Sequence, residues 1–318
     1  MRPKLYIDGQ AGTTALRVRD WLAGRDDLEI VALPEELRKE PTARRQALRG
    51  ADIVLLCLPD DAAKEAAAWL ADSPVRILDA STAHRVSDGW VYGVPELVAG
   101  QRERIAQAQR VANPGCYASA AILLLRPLVD AGLIAPDSAF SIHALSGYSG
   151  GGRSLIERWE DSKRGLLRLP HEAPYSATKL HKHIPEIMRY SGLSTEPQFR
   201  PAVGPFRCGM RVEITIPAKV LPKSATGKAM WDVLAARYET EPFVEVEPLA
   251  EPAEPDEFAF DPQAYNDTNT ISLRVLTHPS GHAVLMARLD NLGKGAAGVA
   301  IQCLNLMLGV PEGTGLPK

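Results

Sequence analysis

Short apolar runs alternate with polar, helix-period stretches through the first third of the chain. Lys4–Asp8 reads as a strand, Thr14–Leu22 as a helix and Leu28–Leu33 as a second strand. Ile53–Leu58 (Ile-Val-Leu-Leu-Cys-Leu) is apolar without a break, the pattern of a strand covered on both faces of a parallel sheet. Asp61–Leu70 is Ala-rich and helical, Val75–Ala80 reads as another strand and Gln101–Gln109 as another helix. Alternation of this kind predicts an open parallel α/β sheet.

Beyond about residue 116 the texture changes. Ala118–Leu133 is a mostly apolar helical stretch, and Pro127 predicts a kink or break in it, because proline offers no N–H to the turn before. Strand-like segments follow at Ala139–Leu145, Arg211–Pro217, Thr270–Leu276 and Ala283–Leu289. Helices are expected between them at Ser154–Trp159, Glu186–Ser191 and Gly227–Tyr238, and a last one at Gly295–Leu308. The Pro- and Glu-rich stretch Glu247–Asp261 reads as a mobile surface excursion. The expected fold class is α/β: a parallel-sheet domain over residues 1–115, an α+β domain over 116–289, and a segment 290–318 whose helix packs back on the first domain. No internal repeat or low-complexity tract interrupts this plan.

Charge narrows the function. The 318 residues carry 36 Lys+Arg against 39 Asp+Glu, a net charge of −3, which argues against a nucleic-acid partner needing clustered cations. Apolar residues make up 45%, enough to fold a core. The apolar run Ala120–Leu125 stops at Arg126, far short of the roughly 20 residues that span a bilayer, so no membrane partner is expected. Met1–Asp8 lacks an apolar leader or cleavage site, so the expected location is the cytoplasm. Cys57, Cys116, Cys208 and Cys303 are scattered, with no C-x-x-C pair and no His/Cys ligand cluster; neither a disulfide framework nor a metal site is expected.

Two segments carry chemistry. Gly9-Gln-Ala-Gly12-Thr13-Thr14-Ala15 lies at the first strand–helix junction. Glycine there permits a tight turn and close backbone approach to a pyrophosphate at a helix N-terminus, which makes the first domain Rossmann-type; ordinary turn chemistry is the competing account. The second strand ends Val31-Ala-Leu33-Pro34 without the acid that would bind an NAD ribose, and Arg38 and Lys39 follow, able to meet a 2′-phosphate. NADP(H) is therefore the expected cofactor, against a reading of these charges, with Glu35 and Glu36, as solvated residues of a helix start. Asn113-Pro-Gly-Cys116-Tyr-Ala-Ser119 opens the apolar helix, placing Cys116 in its first turn. Unpaired N–H groups and the helix dipole favour thiolate there and can stabilise an oxyanion, so Cys116 is the expected nucleophile. The other three cysteines fit the role of small buried hydrophobes.

Asn113-Pro-Gly-Cys-Tyr117, with the glycine loop, resembles N-acetyl-gamma-glutamyl-phosphate reductase, and the short type of that family in particular. Further matching blocks are Asp79-Ala-Ser-Thr-Ala-His-Arg85, Tyr92-Gly-Val-Pro-Glu-Leu97, Ser146-Gly-Tyr-Ser-Gly-Gly-Gly-Arg153, His181-Lys-His-Ile-Pro-Glu-Ile187 and Asp290-Asn-Leu-Gly-Lys-Gly-Ala-Ala-Gly298. They run in the family's order over nearly the whole chain. The sequence departs in two places: Ala15 stands where a third glycine is frequent, and Thr82-Ala83-His84 differs from the Ala-Asp-Phe usual in the long type.

The resemblance implies NADPH-dependent reduction of an acyl phosphate to an aldehyde through a cysteine thioester, with release of phosphate. The substrate implied is N-acetyl-L-glutamyl 5-phosphate, and the pathway arginine biosynthesis. The H-x-H-x-P-E match points to His183 as acid/base, oriented by Glu186, with His181 the second candidate; residues two apart share a face only on extended backbone. Ser81, Gly147 and Asn291 join Gly9, Gly12, Thr13, Thr14 and Arg38 as expected cofactor residues, a helix cap being the other account of Asn291. Asn113, Arg85, Arg153 and Arg207 are the expected substrate residues, with Arg211 a further cation near the Cys208-Gly-Met210 segment. A homo-oligomer, dimer or tetramer, is expected. Aspartate- or aminoadipate-type semialdehyde dehydrogenases are the neighbouring alternatives, and a non-catalytic dinucleotide sensor the distant one.

Overall fold

The computed structural model describes residues 2–249 and 256–318. The chain forms two compact units, Met1–Pro114 with Ala296–Pro317, and Gly115–Gly295 with Lys318.

In the first unit, β1 (Lys4–Asp8), α1 (Thr13–Trp21), β2 (Glu29–Val31), α2 (Pro41–Arg49), β3 (Ile53–Leu56), α3 (Asp60–Trp69), β4 (Arg76–Asp79), β5 (Val91–Tyr92), α4 (Gln101–Gln107) and β6 (Arg110–Ala112) follow in chain order, and the strands form one sheet. Its order is β2-β1-β3-β4-β6-β5 and every pairing is parallel. Alternate side chains feed two cores. Leu5, Ile7, Ile53 and Leu55 pack on one face with Val18 of α1 and Leu22 at its C-terminal cap. Tyr6, Val54 and Leu56 pack on the other with Leu48, Ala63 and Ala66 from α2 and α3. All four residues of β3 are buried, which is why that run is uninterruptedly apolar. Each such Leu or Ile contributes about 1.5–3 kcal/mol. The helix α2 was not expected from its pattern. Its sequence is mostly polar and buries Leu48 alone, and its start is fixed by the Glu40 carboxylate, which accepts from Thr42 N (3.0 Å) and Ala43 N.

The second unit comprises α5 (Cys116–Asp130), β7 (Ser141–Gly147), α6 (Gly152–Glu160), β8 (Ala173–Pro174), α7 (Ile184–Ser191), β9 (Gln198–Gly204), β10 (Met210–Ile216), α8 (Gly227–Tyr238), β11 (Val244–Val246), β12 (Ile271–Thr277) and β13 (Ala283–Leu289). Its mixed sheet runs β11-β12-β13-β10-β7-β9-β8. A single π turn (Gly293–Ala297) then leads into α9 (Gly298–Leu308), which belongs to the first unit and packs there with α1, α4 and β4.

Two expectations are corrected. Pro127 does not break α5, which is assigned without interruption from Cys116 to Asp130. The carbonyl that loses its helical donor is that of Leu123, and the Tyr238 hydroxyl donates to it at 2.7 Å, replacing the missing N–H. Nor is Glu247 on a surface excursion. It is buried, and its carboxylate accepts from Ser272 Oγ and from the Arg274 and Arg288 guanidinium groups, the last at 2.8 Å. Arg288 and Arg211 in turn hold the backbone of Phe258 (3.3 Å) and Phe260 (2.7 Å). Residues 250–255 of the expected excursion lie outside the described residues.

Candidate active site

The glycine loop follows β1, whose neighbours β2 and β3 lie on opposite sides, so the loop stands where the strand order reverses. Open parallel sheets bind ligands beyond the carboxyl ends of strands at such a point. Gly9 has φ +88°, and a Cβ on it would lie 2.2 Å from the Cys57 carbonyl oxygen; only glycine fits. Gly12 N donates to Gly9 O at 3.0 Å, closing the turn, and Gly12 then begins α1 with no side-chain cap and no acid in the first turn. Thr13 and Thr14 therefore open a helix whose positive end is left to an incoming anion. Asp8, just before the loop, is buried and paired with Arg44 at 2.8 Å. Arg38 stands after the short turn Glu35–Leu37, one-quarter exposed and paired with Glu35 at 2.5 Å.

Ser81, Arg85 and Asn113 are brought together around the ends of β4 and β6. The buried Asp79 carboxylate accepts from Ser81 N (2.9 Å) and Ser81 Oγ (2.6 Å) and pairs with His84 Nδ1 (2.6 Å). His84 also stacks on Trp90 at 4.0 Å, so the short-type Thr82-Ala83-His84 segment is anchored by its own contacts. Asn113 N donates to Asp79 O at 2.7 Å, and Arg85 Nε to Asn113 O at 3.0 Å. The Asn113 amide donates to Ala296 O at 3.1 Å, while its buried Oδ1 has no hydrogen-bond partner among the described residues.

In the second unit Cys116 is the first residue of α5, partly exposed, with Gly115 ahead of it and no side chain capping the turn. Glu186, almost fully buried, ties this start to the histidines: its Oε2 accepts from Gly115 N at 3.1 Å and its Oε1 lies 3.9 Å from His183 Nε2. His183 directly precedes α7, which begins two residues earlier than its pattern suggested and takes in Pro185. Both imidazoles lie against Tyr117, at 5.6 Å for His183 and 5.9 Å for His181, and cross each other at 4.8 Å. They are held differently. His181 Nδ1 accepts from His183 N at 3.2 Å, which places the proton of the neutral ring on Nε2, facing the Tyr175 hydroxyl at 3.4 Å. That hydroxyl donates onward to Tyr117 Oη at 3.3 Å. Burial, with Cys116 nearby, pushes the Tyr175 phenol up to about 12 despite the bond to Tyr117. Tyr117 is likewise pushed well above the usual phenol range, by burial first and then by Tyr175 and Cys116. Tyr175 belongs to no recognised block; its role is visible only once the fold sets it beside His181.

The remaining expected residues stand elsewhere in this unit. Gly147 N donates to Gly209 O at 2.8 Å at the end of β7. Asn291 spends its amide internally, donating to Ser149 Oγ at 2.9 Å and accepting from Gly209 N at 2.8 Å. Arg153 and Arg207 are largely exposed and paired with Glu157 (2.8 Å) and Glu160 (2.9 Å). Of the other cysteines, Cys57 has its thiol pushed up to about 12 by burial and by the Asp79 and Asp8 carboxylates, and Cys303 is buried against Gly93 O at 3.3 Å. Among the described residues, no group of three His, Cys, Asp or Glu could hold a metal, and no helix is long and apolar enough to cross a membrane.

A parallel-sheet unit with a glycine loop, followed by a mixed-sheet unit whose first helix opens on a cysteine, defines the semialdehyde dehydrogenase class. The semialdehyde dehydrogenase dimerisation-domain model matches residues 116–291, and the NAD binding domain model of the same class matches residues 22–108. The first unit is thus a nicotinamide-dinucleotide domain; the matched span begins after the glycine loop. Aspartate semialdehyde dehydrogenase II of Vibrio cholerae superposes with a TM-score of 0.74 at 16% identity, over 97% of this chain and 99% of that one. The enzyme of Francisella tularensis does so at 0.70 and 14%, over 97% and 100%. Those likenesses are of fold. In sequence, the chain is 46% identical over 314 residues to N-acetyl-gamma-glutamyl-phosphate reductase 2 of Pseudomonas putida, spanning 98% of this chain and 99% of that protein. N-acetyl-gamma-glutamyl-phosphate reductase of Burkholderia lata is 45% identical over 312 residues, 98% of each chain. The chain belongs to the N-acetyl-gamma-glutamyl-phosphate reductase family.

Proposed function

We propose that the enzyme reduces N-acetyl-L-glutamyl 5-phosphate to N-acetyl-L-glutamate 5-semialdehyde in the cytoplasm, as a step of arginine biosynthesis, using NADPH and a thioester on Cys116. The observation that carries this is Cys116 at an uncapped helix start, joined through Glu186 to His183.

The helix start favours the Cys116 thiolate, which adds to the acyl carbon. The α5 N–H groups stabilise the oxyanion, the acyl carbon–oxygen bond to phosphate breaks, and phosphate leaves the thioester behind. A bound nicotinamide dinucleotide supplies the hydride that brings the acyl group to the aldehyde level. Protonated His183 Nε2 donates to the substrate oxygen as the tetrahedral thiohemiacetal forms, and takes that proton back as the adduct releases aldehyde and the Cys116 thiolate; in the reverse direction the two transfers run in the opposite order. Glu186 stabilises the resulting imidazolium and, through Gly115 N, keeps the cysteine loop in register with it.

The dinucleotide is held through its pyrophosphate by Gly9, Gly12, Thr13 and Thr14, with Ser81, Gly147 and Asn291 as further contacts. The turn closed around Gly9 and the uncapped start of α1 fit that group. Arg38 meets the 2′-phosphate of NADP after giving up Glu35. Arg85 and Asn113, whose buried Oδ1 awaits a donor, and Arg153 and Arg207 are the candidates for the substrate's phosphate, amide and carboxylate. The dimerisation-domain match supports a homo-oligomer formed through the second unit.

The test is NADP⁺ reduction with N-acetylglutamate 5-semialdehyde and phosphate, beside aspartate semialdehyde and phosphate. Phosphate-dependent turnover on the acetylated substrate alone is expected, and Cys116→Ser abolishes it while NADP binding stays nearly intact. Preference for aspartate semialdehyde would change the substrate but not the mechanism. Silence on both, with NADP bound, would leave a dinucleotide sensor.

A further inference from the structure

We propose that Asp290 is a positioning residue for Cys116, acting through the turn that joins β13 to α9. The inference rests on the reading of Cys116 as the nucleophile. Asp290 is fully buried immediately after β13. One carboxylate oxygen accepts from Leu292 N at 2.8 Å and the other from Asp267 N at 2.9 Å, while the Asp290 carbonyl accepts from Gly295 N at 2.9 Å. One residue thus fixes both ends of the turn and fastens it to a second loop. Asp267 itself sits at φ +61°, in the left-handed region that Asp adopts more readily than most side-chain-bearing residues.

The turn so fixed is the wall beside the nucleophile. A Cβ on Gly295 would lie 2.9 Å from Cys116 Cβ, so the Gly295 backbone and the base of the cysteine side chain are in direct contact. A shift of the turn is transmitted to Cys116 with no flexible side chain between to absorb it. Catalytic rates are sensitive to displacements of this kind: about 1 Å at a reacting atom can cost on the order of 100-fold.

The experiment compares Asp290→Asn and Gly295→Ala with the unaltered full chain. It measures kcat, KM, the thermal midpoint, and the pH profile of Cys116 alkylation by iodoacetamide, followed on the Cys116 peptide by mass spectrometry. Asp290→Asn keeps the shape of the side chain but turns an amide NH2, itself a donor, toward one of the two backbone N–H donors, and Gly295→Ala pushes directly on Cys116. Both variants are expected to lower kcat about 10- to 100-fold, leave KM within about twofold, and displace the alkylation profile. A wild-type profile and kcat in Asp290→Asn would overturn the proposal whatever Gly295→Ala does, as would a loss of kcat that follows the thermal midpoint while alkylation is unchanged. If Asp290→Asn does not fold, Asp290→Glu, which keeps the charge but displaces the carboxylate from its two N–H donors, is read by the same measurements in its place. Alkylation requires no substrate, so a wrong substrate leaves this test standing; turnover retained by Cys116→Ser would remove the nucleophile, and the proposal with it.

Discussion

His181 and His183 illustrate how a two-residue spacing is resolved by hydrogen bonds. His181 has Nδ1 engaged by a backbone N–H and Nε2 facing the high-pKa phenol of Tyr175, so its proton is held in place. His183 faces a carboxylate that also touches the cysteine loop. Replacing His183 by Asn should lower kcat by about 10²–10⁴, the usual range for a positioned acid/base. His181→Asn should cost less and act mainly by loosening the Tyr175–Tyr117 pair. Steady-state kinetics of the two variants decide the matter; a larger loss at 181 reverses the roles. Arg38 is the residue-scale test of cofactor choice. Its guanidinium is spent on exposed Glu35, a surface pair worth little, so exchanging that partner for a 2′-phosphate costs little. Arg38→Ala should narrow the ratio of kcat/KM for NADPH over NADH, and an unchanged ratio would mean that the phosphate is bound elsewhere.

At the scale of elements, Arg76 deserves a variant of its own. From β4 its guanidinium donates to the carbonyls of Ala108 (2.9 Å), Ala106 (2.6 Å), Ile105 (3.3 Å) and Met307, which are the last carbonyls of α4 and α9. A cation there also meets the negative ends of two helix dipoles. Arg76→Met should cost about 1–3 kcal/mol, since several buried carbonyls lose their donor. It should appear as a lower urea midpoint with the activity of the folded enzyme retained; an unchanged midpoint would mean that water replaces the guanidinium. Elements of this kind also mark what the residue pattern could reveal. β13 and α8 stand where the sequence places them, because β13 is an apolar run buried on both faces and α8 buries Met230, Leu234 and Tyr238 along one side. α2 was invisible because Leu48 is its one buried residue. The passage of α5 through Pro127 was invisible because its solution, Tyr238, comes 115 residues after the carbonyl it serves. The candidate site divides in the same way. A Gly-Cys helix start and an H-x-H-x-P-E run are local signals, and both segments do converge. The Tyr175–Tyr117 contact spans 58 residues and the Asp290–Asp267 contact 23, so no short window displays either of them.

The second unit's sheet bears on the whole molecule. Along β7 and β10, Ile142, Ala144, Val212, Ile214 and Ile216 are wholly buried, while Ser141, His143, Leu145, Arg211, Glu213 and Thr215 alternate with them and stay at least partly exposed. Along these two strands one face is thus a finished core, and the other, polar but for Leu145, is incompletely covered. A sheet face that is neither fully solvated nor fully buried suits an isologous contact, in which the same patch of two copies meets about a two-fold axis. The dimerisation-domain model spans this sheet, and a net charge of −3 opposes association only weakly. Light scattering on the full chain at micromolar concentration should therefore give at least twice the chain mass. If the sheet depends on its partner, the thermal midpoint should also rise with protein concentration, because binding that is confined to the folded state adds to its stability by mass action. A monomer mass with a concentration-independent midpoint would show that the second unit completes its sheet alone, and would remove oligomerisation from the account of this enzyme.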